Sequence, residues 1–128
     1  MAKIKSIVNA ATEQQVHAYE IVKPLLTSAY NEIKELSKKK QDENLNVKKV
    51  KIINRLLVRS MEFLKEEPTS EFLELLDEDD LPTNSDAFLI LSQFLEVLDQ
   101  FHSTHYHIYS LDNPNWVSGG QWDTFEKK

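Results

Sequence analysis

The first 118 residues of this 128-residue chain contain no glycine, and its two glycines are adjacent, at Gly119 and Gly120. Tight turns between strands use residues with positive φ angles, which glycine adopts without steric cost. Loops that bind phosphate through backbone N–H groups depend on glycine for the same reason. The distribution therefore disfavours a turn-rich β fold and a glycine-dependent phosphate site.

Apolar residues recur every three or four positions along most of the chain, as they do on one face of an α-helix. The first such stretch keeps its phase from Ile4 to Leu36. Thr12, with Gln15 three residues later, could cap a new helix inside this stretch. The unbroken phase favours a continuous or only slightly broken helix over about residues 2–40 instead.

Proline and asparagine mark further helix boundaries. Pro24 lies inside the first helix, where it removes a hydrogen bond and predicts a kink near residues 20–24. Asn46 is the predicted N-cap of a second helix, which ends before Pro68. The connection between the two helices is short, so they should pack antiparallel.

The remaining apolar segments predict one short and one long helix. Thr69 or Ser70 opens the short helix, which ends in a run of acids at residues 77–80 because these oppose the helix dipole. Ser85 is the predicted cap of the long helix. Apolar residues cover about half of its circumference, which is typical of the central helix of a bundle.

These elements together predict an all-α fold. The expected architecture is an irregular antiparallel four-helix bundle with two long helices, one short helix and one long central helix. The bundle domain spans residues 1–110. Residues 111–128 form a non-helical aromatic tail with Trp116 and Trp122, which either packs on the bundle or extends from it.

Charge is divided unevenly between the two halves of the chain. The formal net charge of −6 combines +6 in residues 1–65 with −12 in residues 66–128. The positive half contains a basic stripe on one side of the second helix, formed by Lys48, Lys51, Arg55 and Arg59. Such a stripe could neutralise phosphates, so one interpretation is nucleic-acid binding. No aromatic residue is interleaved with it to stack on bases, and the protein as a whole is acidic, which favours a solvated or partner-binding face.

The negative half contains an acidic segment, whose members are Glu71, Glu74, Asp77, Glu78, Asp79 and Asp80. It lacks the alternating ligands and the glycine of a calcium-binding loop. Concentrated charge of one sign can steer a basic partner, so Glu74 and the acids at 77–80 are candidate partner-binding residues. A solvated loop that keeps the protein soluble is the alternative interpretation.

His102 and His105 are the candidate metal ligands, since they share one side of the last helix. The two-metal pattern of helical bundles requires Glu-x-x-His on two helices, and this sequence contains none. We therefore predict no metal and no cofactor. Trp116 and Trp122 are candidate partner-binding residues, because tryptophan is enriched at the centres of interfaces.

The chain contains no cysteine, which excludes disulfides and thiol catalysis and suits a cytoplasmic protein. It has no apolar run long enough to cross a membrane and no secretory signal. No motif for a catalytic nucleophile is visible.

The sequence predicts a non-enzymatic protein–protein interaction module, such as an adaptor, inhibitor or immunity-type protein of a bacterium or phage. A nucleic-acid-binding protein and a histidine metalloprotein are the alternatives, and the charge division also suggests a homodimer.

Overall fold

A computed structural model describes residues 11–108 and 120–122. Within these residues the protein is mostly helical, which confirms the predicted all-α class. The elements, in chain order, are α1 (Glu13–Lys39), α2 (Val47–Leu64), a 3-10 helix (Pro68–Phe72), α3 (Asn84–His105), β1 (Tyr106–Ile108) and β2 (Gly120–Trp122).

Helix α1 begins immediately after Thr12, which excludes an uninterrupted helix through this residue, whereas the prediction of a slightly broken helix stays untested. Thr12 has extended backbone angles and forms a capping box with Gln15. The Thr12 side chain accepts from the Gln15 N–H at 3.0 Å, and the Thr12 N–H donates to Gln15 Oε1 at 2.8 Å. The apolar spacing that suggested a continuous helix indicates which side chains are buried. It does not show that every residue between them has helical backbone. Residues 2–10 of the predicted helix lie outside the described residues.

Helix α1 continues through Pro24, whose ring lies on the exposed side. Helix α2 begins as predicted, with Asn46 at its N-cap accepting from the Lys49 N–H at 2.8 Å. Helix α3 is capped by Thr83, which accepts from the Asp86 N–H, and the prediction of Ser85 as the cap is wrong.

The predicted short helix after Pro68 is not an α-helix. A 3-10 helix spans Pro68–Phe72, and Leu73 then has extended angles. The next residues are held against α2 by Asn54, whose side-chain amide bonds both backbone groups of Leu76. Those groups would be needed for a helical turn, so the fourth helix of the predicted bundle is not confirmed.

The helix directions follow from contacts at opposite ends. At one end Gln15 of α1 donates to the Phe63 carbonyl of α2 at 3.0 Å. At the other end Lys49 of α2 pairs with Glu32 of α1 at 2.8 Å. Helices α1 and α2 are therefore antiparallel.

Helix α3 also packs against α1. Tyr30 of α1 stacks on Phe88 near the start of α3, and Tyr19 stacks on Phe101 near its end. Helices α2 and α3 are therefore both antiparallel to α1, and they also contact each other. The core between the helices includes the fully buried Leu26, Leu57, Leu91, Phe94, Leu98 and Phe101. Each such side chain contributes roughly 1.5–3 kcal/mol through burial.

Aromatic rings close one end of this core around Phe101. Phe63 meets Phe101 edge-on at a centroid distance of 5.6 Å, and the His105 ring lies 4.8 Å from it. Tyr19 packs at the same place, where burial raises the pKa of its hydroxyl, partly offset by the nearby charge of Lys23. At the opposite end, the loop after α1 pairs with the loop before α3, through bonds such as Leu45 N–H to the Pro82 carbonyl.

Strands β1 and β2 pair antiparallel, with Tyr106 opposite Trp122 and Ile108 opposite Gly120. This pairing joins the end of α3 to three residues of the predicted tail. The other tail residues, 111–119 and 123–128, lie outside the described residues. The predicted boundary between bundle and tail therefore stays a prediction.

Candidate functional site

An apolar groove of about 500 Å³ runs between α1 and α2. Its lining residues are Leu25, Ser28, Ala29, Glu32, Ile33, Lys49, Ile52, Ile53, Arg55 and Leu56. Ile33 and Ile53 are buried core residues that form the floor. Leu25 is 53% exposed and Ile52 is 45% exposed, so the walls present large apolar side chains to solvent.

Both wall residues continue the apolar faces of their helices, yet they are exposed. Helix α1 contacts α2 and α3 on two sides, and α2 is covered by α1, by α3 and by the chain around Leu76. Within the part of the chain that the structure describes, no element covers the outer side of the groove. Leu25 and Ile52 remain exposed for that reason.

Charge is distributed unevenly along the polar rim of the groove. Lys49 Nζ and Glu32 Oε2 lie 2.8 Å apart and link the two helices, so each neutralises the other. Arg55 also lines the groove, and it has no ion pair with any residue of 11–108. The α2 side of the groove therefore carries net positive charge.

The basic stripe continues this charge along the exposed side of α2. Lys48, Lys51, Arg55 and Arg59 are all exposed. Arg59 pairs with Glu62, one turn later on the same helix, at 3.1 Å. Lys48 and Lys51, like Arg55, have no ion pair among the described residues. The stripe is thus a solvent-facing cationic surface.

The acidic segment is exposed, with Glu71 in the 3-10 helix and the acids from Glu74 onward outside any helix. Asp77 Oδ1 accepts from the N–H groups of Asp80 and Asp79, both at 2.8 Å. These hydrogen bonds stabilise the carboxylate and lower the pKa of Asp77. The bonds shape a local turn, and among the described residues the acids at 77–80 form no ion pair with the basic stripe.

The two charged surfaces lie next to each other around α2. Asn54 faces the acidic segment, since its amide contacts Leu76 and lies 3.3 Å from Glu78 Oε2. Ile52 and Leu56 face the groove. At about 100° per residue the stripe falls between these two directions. The acidic segment and the groove therefore flank the stripe on opposite sides.

Asn54 is the important residue that sequence reasoning missed. It is a buried polar residue within the apolar face of α2, close to Val50 and Leu57. A polar side chain at such a position requires a hydrogen-bonding partner, and this signal was available from the sequence. The identity of the partner, the backbone of Leu76, was not.

The candidate metal ligands are engaged with aromatic rings. His102 stacks between Tyr19, at 5.8 Å, and Tyr106, at 4.4 Å. His105 is buried, with Nε2 3.4 Å from Glu67 Oε2, and its Nδ1 has no hydrogen-bond partner among the described residues. Across residues 11–108 and 120–122, no three His, Asp or Glu side chains are grouped so that they could hold a metal ion.

The tryptophans contribute little to the described surface. Trp116 lies outside the described residues. The backbone of Trp122 belongs to β2, and its side chain lies outside what the structure describes. Their proposed role in partner binding stays a prediction.

The chain matches no known protein-family model, and neither the curated proteins nor the solved structures include a detectable relative. Among the helices that the structure describes, none combines the length and the apolar character needed to cross a membrane.

Proposed function

We propose that this protein is a non-enzymatic protein–protein interaction module that docks a partner in the groove between α1 and α2. It would act as an adaptor, inhibitor or immunity-type protein of a bacterium or phage. The observation that carries the proposal is the open apolar groove beside unpaired cations. The proposed compartment is the cytoplasm, because a chain without cysteine suits reducing conditions.

Two physical arguments support docking. When a partner covers exposed apolar side chains, the complex is stabilised by roughly 25 cal/mol per Å² of apolar surface removed from water. Interfaces typically combine such an apolar centre with a polar rim. Leu25 and Ile52 supply the centre here, and Arg55 with the Glu32–Lys49 pair supplies the rim.

The polar groups of the groove favour binding over catalysis. Glu32 and Lys49 are paired with each other and partly exposed, and Ser28 is exposed. Catalytic acids and bases are more often buried or placed beside a like charge. These polar groups can orient a bound chain. No nucleophile among the groove residues is held against a base, as nucleophilic catalysis requires.

The test is affinity capture from the source organism, followed by reconstitution with the purified partner. We expect Leu25→Asp with Ile52→Asp to weaken binding by at least about tenfold, because charge would enter the apolar centre. Leu89→Asp is the matched control, since Leu89 is 58% exposed on α3, away from the groove. Substrate turnover that is lost on a conservative polar substitution would contradict the proposal.

Nucleic-acid binding is the second candidate, favoured by the unpaired cations of the basic stripe. It predicts a mobility shift that weakens steeply with salt and disappears in Arg55→Glu with Arg59→Glu. None of the residues lining the groove is aromatic, so stacking on bases there has no support. Absence of a shift at low salt would eliminate this candidate.

A further inference from the structure

We infer that the occupant of the groove is an amphipathic α-helix of a different protein, with Asp or Glu along one edge of its apolar face. The acidic edge faces α2 and its basic stripe. This inference rests on the proposed function and specifies the chemistry of the partner.

The shape of the groove suits a helix. Two antiparallel helices form its walls, and a third helix can lay its side chains between theirs. Leu25 has Ile21 one turn earlier on α1, also 50% exposed, and Ile52 has Leu56 one turn later on α2. Each wall thus presents apolar residues at the four-residue spacing of a helix surface. Ala29 is small and lets a partner approach closely.

The charge around the groove is asymmetric and sets the orientation of the occupant. On the α2 side, Arg55 lines the groove, and Lys51 lies one turn earlier on the stripe. Neither has an ion pair among the described residues. On the α1 side, Glu32 is already neutralised by Lys49. A helix with acids on its α2 edge would pair with the free cations, whereas a helix with basic residues there would be repelled.

The chain's own acidic segment is a poor occupant. Within one molecule it is held on the other side of the basic stripe by the bonds between Asn54 and Leu76. A two-fold dimer that placed each acidic segment in the other copy's groove would bring the two basic stripes face to face, since the stripe lies between those surfaces. Like charges opposed across an interface are unfavourable. The charge pattern therefore favours a different protein.

The test uses a library of helical peptides displayed on a rigid scaffold, with the exposed positions randomised. It is selected against the full chain and counter-selected against Leu25→Asp with Ile52→Asp. We expect the selected helices to carry apolar residues at i, i+4 and i+7 with Asp or Glu along one flank. Amide chemical shifts of the labelled protein should change at the groove residues of α1 and α2.

Charge exchange tests the orientation. Arg55→Glu with Lys51→Glu should weaken the selected peptides by about tenfold or more, and changing the acidic flank of the peptide to Lys should restore binding. Lys34→Glu with Lys38→Glu, the same total change of charge at exposed sites of α1 outside the groove lining, should leave binding unchanged. Circular dichroism of each variant checks that it folds.

The proposal is overturned if the selected helices have a basic flank, if they bind the groove variant equally well, or if no helix is selected. It is also overturned if sedimentation shows a dimer that the groove variant abolishes, because the occupant would then be a second copy. These outcomes leave the proposed function open to its own test. A captured natural partner whose binding resists the groove variant would instead contradict docking in this groove.

Discussion

Asn54 holds the acidic segment against α2 through both ends of its side-chain amide. Nδ2 donates to the Leu76 carbonyl at 2.8 Å, and Oδ1 accepts from the Leu76 N–H at 2.9 Å. Leu76 is itself buried, so its backbone groups are shielded from water. This residue therefore decides the path of the chain between the 3-10 helix and α3.

We predict that Asn54→Ala lowers the free energy of unfolding by roughly 2–4 kcal/mol, because two bonds are lost and two buried backbone groups are left unpaired. Urea denaturation followed by circular dichroism would measure the loss. Asn31→Ala, at an exposed position of α1, is the matched control and should change stability by less than about 0.5 kcal/mol. Equal effects of the two substitutions would show that the amide does not hold the segment.

The beginning of α1 shows how a local signal competes with a longer pattern at the scale of one element. The capping box of Thr12 and Gln15 satisfies two backbone N–H donors at the helix end. Gln15 also donates through Nε2 to the Phe63 carbonyl, which joins this end of α1 to the end of α2. The cap thus has both a local and a tertiary role.

Thr12→Ala should destabilise the protein by about 1 kcal/mol, the usual effect of removing an N-cap side chain. Thermal and urea unfolding would report the change. Thr104→Ala removes a hydroxyl from an exposed position in the last turn of α3, and it should be close to neutral. If Thr12→Ala were as mild as this control, the capping box would contribute nothing to α1.

At the scale of the whole molecule, Lys23 and Asp99 form an ion pair at 3.3 Å between the two halves of opposite charge, but the basic stripe and the acidic segment do not pair among the described residues. The basic stripe and the acidic segment are neighbours around α2, yet no ion pair joins them within residues 11–108. The ion pair that does connect α1 and α2, Lys49 with Glu32, lies within the basic half of the chain. The charge division therefore remains available at the surface.

A double-mutant cycle tests this separation. Arg55→Gln combined with Asp79→Asn should show a coupling energy near zero, because the side chains do not interact. The matched cycle of Glu32→Gln with Lys49→Gln should show about 0.2–1 kcal/mol, as expected of a solvent-exposed pair. Coupling of Arg55 to Asp79 as strong as this would mean that the charges pair internally, and the argument for a cationic docking surface would fail.

The sequence by itself determined the helical class, the N-cap at Asn46 and the two groups of charge, because glycine content, apolar spacing and capping residues act through the local backbone. It also contained the signal for the break at Thr12, although the longer apolar phase outweighed that signal in the prediction.

The tertiary structure decided the rest. Leu76 is bound by Asn54, twenty-two residues away, so no local pattern could show that the short helix is replaced by an extended segment. Leu25 and Ile52 have the same apolar character as the core residues, and their exposure depends on which neighbouring elements cover each helix. Burial and pairing are properties of the assembled helices, and for that reason the groove could not be read from the sequence.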